Sequence, residues 1–236
     1  MAFRFGSPII TNGLIFYVDA ANYNSYINGS TTWYDLSPTK NNSTITAAPT
    51  FNSANGGSLL FDGSSQSASS SLALGSDSDL YFTFSSWFKP VNLNVAAYVF
   101  SRGRDQPFAN WSLELGILGD NKYTVGATQV VGASEISYST TGSSAITSPN
   151  WVNLTGVYDR GNIATGIKLY INGVLESSSS ITNNNLRSSI TGASICQIQT
   201  NEYANAYVGS TLVYNRVLSA AEILQNYNAT KDRFGL

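Results

Sequence analysis

Hydrolysis of a sugar bond asks for two carboxylates, held roughly 5–5.5 Å apart for retention or about 6.5–9.5 Å apart for inversion. The chain has five glutamates, Glu114, Glu135, Glu176, Glu202 and Glu222, all widely separated. Only Glu114, in the run Trp111 to Leu115, falls inside an expected strand, so no local acid pair presents itself. Histidine is absent, which removes the usual base for a serine or cysteine nucleophile and the commonest ligand of catalytic zinc. The single cysteine, Cys196, can form no internal disulfide. With Ser194-Ile195 before it and Gln197-Ile198-Gln199 after it, it reads as a small core residue on a strand. The expectation is a protein without catalytic residues.

Binding a sugar without cleaving it needs exposed aromatic rings beside hydrogen-bonding amides, and aromatic residues make up 12% of the chain. In Tyr81 to Phe88, alternation puts Phe82, Phe84 and Phe88 on one face and leaves Trp87 on the other. Trp87, Trp33 beside Asn-rich loops and Trp111 beside Asn110 are the candidate glycan contacts, with core or rim packing as the competing reading.

The elements that must position these residues read mostly as strands. Period-2 or apolar runs occur at Leu14 to Val18, Ser58 to Phe61, Tyr81 to Phe88, Tyr98 to Phe100, Trp111 to Leu115, Tyr123 to Ala127, Trp151 to Tyr158, Ile167 to Ile171, Ile195 to Ile198 and Tyr207 to Tyr214. About ten strands in one domain predict two packed sheets. Asn172-Gly173 between apolar residues signals a tight hairpin. Ser64 to Ser71 and Ser177 to Asn185 read as exposed connections or weak edge strands. One helix stands out near the C-terminus: Ser219 and Glu222 make a capping box, and Ile223, Leu224 and Tyr227 share a face. Residues 1–12 read as an arm before a single domain spanning 13–236, with Pro8 and Asn12-Gly13 as the break.

Composition narrows the partners. Net charge is −2 and only 11% of the 236 residues are charged, so no basic footprint for nucleic acid exists and surface polarity comes from Ser, Thr, Asn and Gly. Apolar residues reach 42%, enough for a core, yet no apolar run is long enough for membrane insertion. MAFRFGSPIITNGL lacks the continuous apolar segment of a signal peptide, so folding in a cytoplasm is expected.

Six segments in order, GLIFYVDAANYNSY at Gly13, TTWYDLSPTKNNSTI at Thr31, SLLFDGSS at Ser58, FTFSSWFKP at Phe82, WVNLTGVYD with IKLYINGVL at Trp151 and Ile167, and YVGSTLVYNRVLSAAEILQNYNATKDRFGL at Tyr207, resemble the laminin-G-type concanavalin A-like lectin/glucanase jelly rolls of tailed bacteriophages. The resemblance implies an all-β sandwich of two antiparallel sheets with a short C-terminal helix. The chain departs from the family's Gly-rich DLSGNGN turn at Asp35 to Asn41. It also lacks the E-x-D-x-x-E strand cluster of the glucanase relatives, which fits a non-enzymatic protein. A rim calcium ion is suggested by the family, with Asp19, Asp35, Asp62 and Asp159 at strand ends or turns. Lone turn aspartates ordinarily bond their own backbone amides, so neither metal nor cofactor is expected.

The resemblance further implies a virion structural protein, made in the host cytoplasm and displayed on capsid, neck or tail. Its partners would be other virion proteins, host surface glycans and further copies of itself in a homo-oligomer. Docking would run through Phe3, Arg4 and Phe5 of the arm, or through a sheet edge. The alternative is a stand-alone carbohydrate-binding lectin module.

Overall fold

Strand alternation is obeyed closely enough to fix both faces of the longest strands. The computed structural model describes residues 8–72, 74, 81–104, 111–131, 134–186, 192–199 and 202–236. Within them lie two eight-stranded antiparallel sheets. The first runs Val174–Ser179, Ile167–Ile171, Val152–Asp159, Tyr81–Pro90, Asn205–Tyr214, Ser58–Asp62, Thr50–Asn52. Leu14–Asp19 pairs with the Ser210–Tyr214 half of Asn205–Tyr214, end to end with Ser58–Asp62 on the other half. The second runs Ser134–Thr141, Tyr123–Val131, Trp111–Ile117, Ala97–Arg104, Ala193–Ile195, Ser67–Ser70, Ser43–Thr46, Thr32–Trp33. A small ribbon, Gln197–Gln199 with Glu202–Tyr203, lies at one end.

The main core fills the space between the sheets. Phe82, Phe84 and Phe88 enter it from the first sheet, and Leu113, Leu115 and Ile117 meet them from the second. Close approach is enforced at Gly156, where a Cβ would stand 2.6 Å from Val125 Cγ2 and 2.7 Å from Phe84 Cε2. The Asn172-Gly173 turn has φ of 51° and 80°, the left-handed pair that a two-residue hairpin of matching twist requires.

A second apolar cluster lies outside the first sheet. Leu14, Val157, Tyr170, Leu212 and Tyr214 project from its outer face and are covered by Leu218 and Ile223, with Ile9 and Ile10 packed alongside. The helix Ala220–Thr230 carries the expected capping box of Ser219 and Glu222. It runs two residues past the expected end near Asn228 and continues as a 3-10 turn, Lys231–Phe234. Ile223 is buried, but Leu224 is 42% exposed, so the buried stripe is narrower than expected. Residues 8–12 are tied to this layer: the Ile10 amide donates to Asn226 Oδ1 and the Tyr214 hydroxyl donates to the Ile10 carbonyl. No helix among the described residues is long and apolar enough to cross a membrane.

Each of the two Ser-rich stretches is strand only in part. Ser67–Ser70 lies inside the second sheet between Ser43–Thr46 and Ala193–Ile195 and is mostly buried. Val174–Ser179 forms an edge of the first. Cys196 is buried as expected, but it sits at a bend between two strands with φ of 60°; full burial drives its thiol far above the usual range, so it is inert.

Candidate functional site

Two of the three tryptophans foreseen as glycan contacts, Trp33 and Trp87, are placed elsewhere by the fold. Trp33 is fully buried in the main core, edge-on to Tyr26 at 6.4 Å. Trp87 does face away from the phenylalanines of its strand, yet the C-terminal segment covers it: Phe234 stacks on it at 4.2 Å and Tyr227 at 5.7 Å, and its Nε1 donates to Thr230 Oγ1 at 2.8 Å. Neither ring offers a face to a sugar. Trp111 begins the strand Trp111–Ile117, but its side chain lies outside the described residues, as do Phe3, Arg4 and Phe5.

The fourth tryptophan, Trp151, is half-buried, the one accessible ring among the described tryptophan side chains. It directly precedes Val152, whose partner is Phe88, so it stands beside Lys89. Lys89 is paired with Tyr207, and Tyr207 with Leu60. Because Phe88 points inward, Lys89 points out, and Trp151, Lys89 and Tyr207 form a half-buried row across three strands of the outer face. The two rings are 6.4 Å apart at 56°, and Lys89 Nζ lies 5.8 Å from the Tyr207 ring centroid.

This row is braced from one side. Trp151 Nε1 donates to Asn55 Oδ1 at 3.1 Å, while Asn55 Nδ2 donates to the Arg233 carbonyl. Phe234 packs on Trp151 at 4.7 Å. The indole is thereby fixed in orientation by groups that are themselves held. Asn52, Ala54, Asn55 and Ser58 complete a cavity of about 120 Å3 with the three row residues. Its chemistry is two rings, amide groups and one ammonium. Among the described residues no carboxylate lines it.

The carboxyl groups are differently disposed. Glu114 lies on the outer face of the second sheet, paired with Gly126 and Ser101. It is 3% exposed, and burial pushes its carboxyl up to about 8. It is thus neutral at pH 7 and sealed from ligands. Glu114 is not alone on a strand, contrary to expectation: Glu135, Glu176 and Glu202 also lie on strands. Ser143 donates from both its hydroxyl and its amide to Glu176, holding that carboxyl below its ordinary range. A larger cavity of about 360 Å3 is bordered by Tyr98, Glu202 and Tyr203. Burial, then the charges of Glu114 and Glu202, push the Tyr98 phenol up to about 12.

The turn aspartates bind their own loops. Asp35 accepts from the amides of Tyr17, Ser37 and Asn41 and from the Ser37 hydroxyl. Partial burial acts to raise the Asp62 carboxyl, but the amides of Ser64, Ser65 and Gln66 outweigh it and hold the group well below the usual range. Asp19 pairs with Arg233 at 2.7 Å, and Asp159 with Lys168 at 3.7 Å. Among the described residues no three metal-binding side chains gather.

Residues 62–224 match the family model of the concanavalin A-like lectin/glucanases superfamily. The chain belongs to that superfamily. No curated protein matches this concanavalin A-like chain by sequence. Among solved structures it is similar to the botulinum neurotoxin serotype G binding domain (20% identity, TM-score 0.67, covering 91% of this chain and 50% of that one). It is likewise similar to the binding domain of Paraclostridial Mosquitocidal Protein 1 (15%, 0.66, 92% and 52%). A third likeness is to Trypanosoma rangeli sialidase in complex with sialic acid (15%, 0.66, 97% and 35%). The sandwich spans about half the length of the toxin binding domains and about a third of the sialidase. At these identities the shared property is the fold, which serves binding proteins and enzymes alike.

The Trp151 row escaped the sequence reading because Trp151 was absorbed into an apolar run, as a strand residue like its neighbours. Its signal was its position as the first residue of that run, at a strand mouth beside Asn150.

Proposed function

We propose that this concanavalin A-like protein is a non-enzymatic recognition module on the virion of a tailed bacteriophage, docked to other virion proteins on capsid, neck or tail and gripping host surface glycans. The observation that carries the glycan part is the Trp151–Lys89–Tyr207 row. Its half-buried rings line a cavity on the outer face of the first sheet, with amides at the cavity's edge. Aromatic faces stack on the C–H face of a pyranose while amides meet its hydroxyls. The superfamily match and the binding domains among its structural neighbours support recognition. Burial of Glu114 argues against hydrolysis, since a general acid must reach the glycosidic oxygen. The virion part rests on the ordered motifs from Gly13 onward that resemble tailed-phage proteins.

The test is a glycan array probed with the purified chain, followed by prolonged incubation of each bound glycan with the protein. Binding of a defined glycan set with no cleavage products is the expected result. Release of shortened sugars would make the protein a glycosidase, and a blank array would remove the recognition role.

A further inference from the structure

We propose that the Trp151–Lys89–Tyr207 cavity is a subsite for an acidic sugar, a pyranose bearing an anionic group. The inference rests on the glycan-binding reading and adds the ligand's charge. Lys89 carries the argument. Its ammonium has the Tyr207 ring beneath it at 5.8 Å, and among the described residues no carboxylate lines the cavity. None of the ion pairs among the described residues involves it. Lys89 is a half-buried residue with its ammonium over the Tyr207 ring and Trp151 beside it in register, a setting where a counter-charge is screened less than in bulk solvent.

The neighbours fix how such a sugar would sit. Trp151 cannot turn away, because Asn55 holds its Nε1 and Phe234 packs against it. The indole therefore offers a fixed stacking face. Tyr207 confines the Lys89 stem from the adjacent strand. A ring stacked on Trp151 has its rim substituents toward Lys89, where a carboxylate or sulfate accepts charge-assisted hydrogen bonds from the ammonium. Asn52 uses its Oδ1 on the Ala54 amide, which leaves its Nδ2 to donate to a hydroxyl. A cavity of about 120 Å3 is smaller than a whole pyranose, so it takes the edge of the ring that bears the anionic group while the rest of the sugar lies outside it.

The experiment compares the full chain with Lys89→Gln and Lys89→Arg, each first shown to melt like the wild type. Probes are oligosaccharides ending in glucuronate, N-acetylneuraminate or sulfated galactose, each against its neutral counterpart. Wild type should bind at least one acidic probe about tenfold more tightly than the neutral one, as expected of a hydrogen bond to a charged group. That preference should shrink in 0.5 M salt, vanish in Lys89→Gln and persist in Lys89→Arg. The carboxylate and sulfate arms identify which anion fits. Equal binding of acidic and neutral probes, or a preference unchanged by Lys89→Gln, overturns the acidic subsite while leaving glycan recognition intact. Failure to bind any sugar removes both.

Discussion

At the scale of single residues, burial of Glu114 gives the sandwich a pH dependence opposite to that of its surface carboxylates. Its pKa rises from 4.5 to about 8 because the charged form is desolvated. Between those values the folded state holds a proton that the unfolded chain releases, so stability falls as pH rises from about 4.5 through about 8 and is level above. The loss amounts to about 3–5 kcal/mol. Glu222 works in the other direction: Arg216, bonded at 2.6 Å, pulls it down to about 2. Its contribution is full above about 4.5 and is lost as pH falls from there through about 2, so it does not interfere between pH 5 and pH 9. Urea unfolding of wild type and Glu114→Gln from pH 5 to pH 9 should show the wild-type decline and a flatter variant; parallel curves would show that Glu114 ionises freely. The position of Glu114 on a strand was legible in the sequence, but its burial was not, because nothing local records what covers the outer face of a sheet. Trp87 teaches the same lesson. Alternation set it outside the main core correctly, but the ring that covers it, Phe234, comes from a segment far away in the chain.

At the scale of elements, the C-terminal segment is a second layer that closes the first sheet. Gly209 leaves room for it, since a Cβ there would stand 2.6 Å from the Phe234 ring. Arg233 ties it down through Asp19 and the carbonyls of Asn55 and Gly57. Replacing Phe234 with Ala removes both the 4.2 Å stack on Trp87 and the 4.7 Å contact with Trp151. Truncating a buried Phe costs about 3–5 kcal/mol, and here it also frees the Trp151 wall of the proposed sugar cavity. Phe234→Ala should lower the melting temperature, shift tryptophan emission to the red and weaken glycan binding; unchanged emission would mean that Trp87 is covered without it. The helix itself was readable from Ser219 and Glu222, because a capping box is local chemistry. The strand Ser67–Ser70 was not, since serine and alanine carry little hydrophobic signal even when buried. Lys40 shows a related limit: it adopts φ of 56° within Asp35 to Asn41, where the family's turn is Gly-rich, and the Asp35 hydrogen bonds hold the loop in shape regardless.

At the scale of the whole molecule, a net charge of −2 spread over 236 residues means that the proposed virion attachment would rest on apolar and hydrogen-bonding contacts, each modest and multiplied by copy number. Residues 8–12 are not available for that purpose. Ile9 and Ile10 pack into the layer under the helix, and the Asn12 carbonyl accepts from Arg216 Nε. Removing residues 1–12 would therefore injure the fold and confound any test of docking. Removing 1–7 takes Phe3, Arg4 and Phe5 and spares these contacts. Particles assembled with the 1–7 deletion should lose the protein, while the purified variant keeps its melting temperature and its glycan binding. Retention at wild-type copy number would eliminate the arm as the anchor. Attention would then pass to the edge strand Val174–Ser179, where Val174 is 65% and Leu175 50% exposed beside the half-open Leu224. Such an edge pairs readily with another strand, and Val174→Lys with Leu175→Lys should then release the protein from the particle without unfolding it.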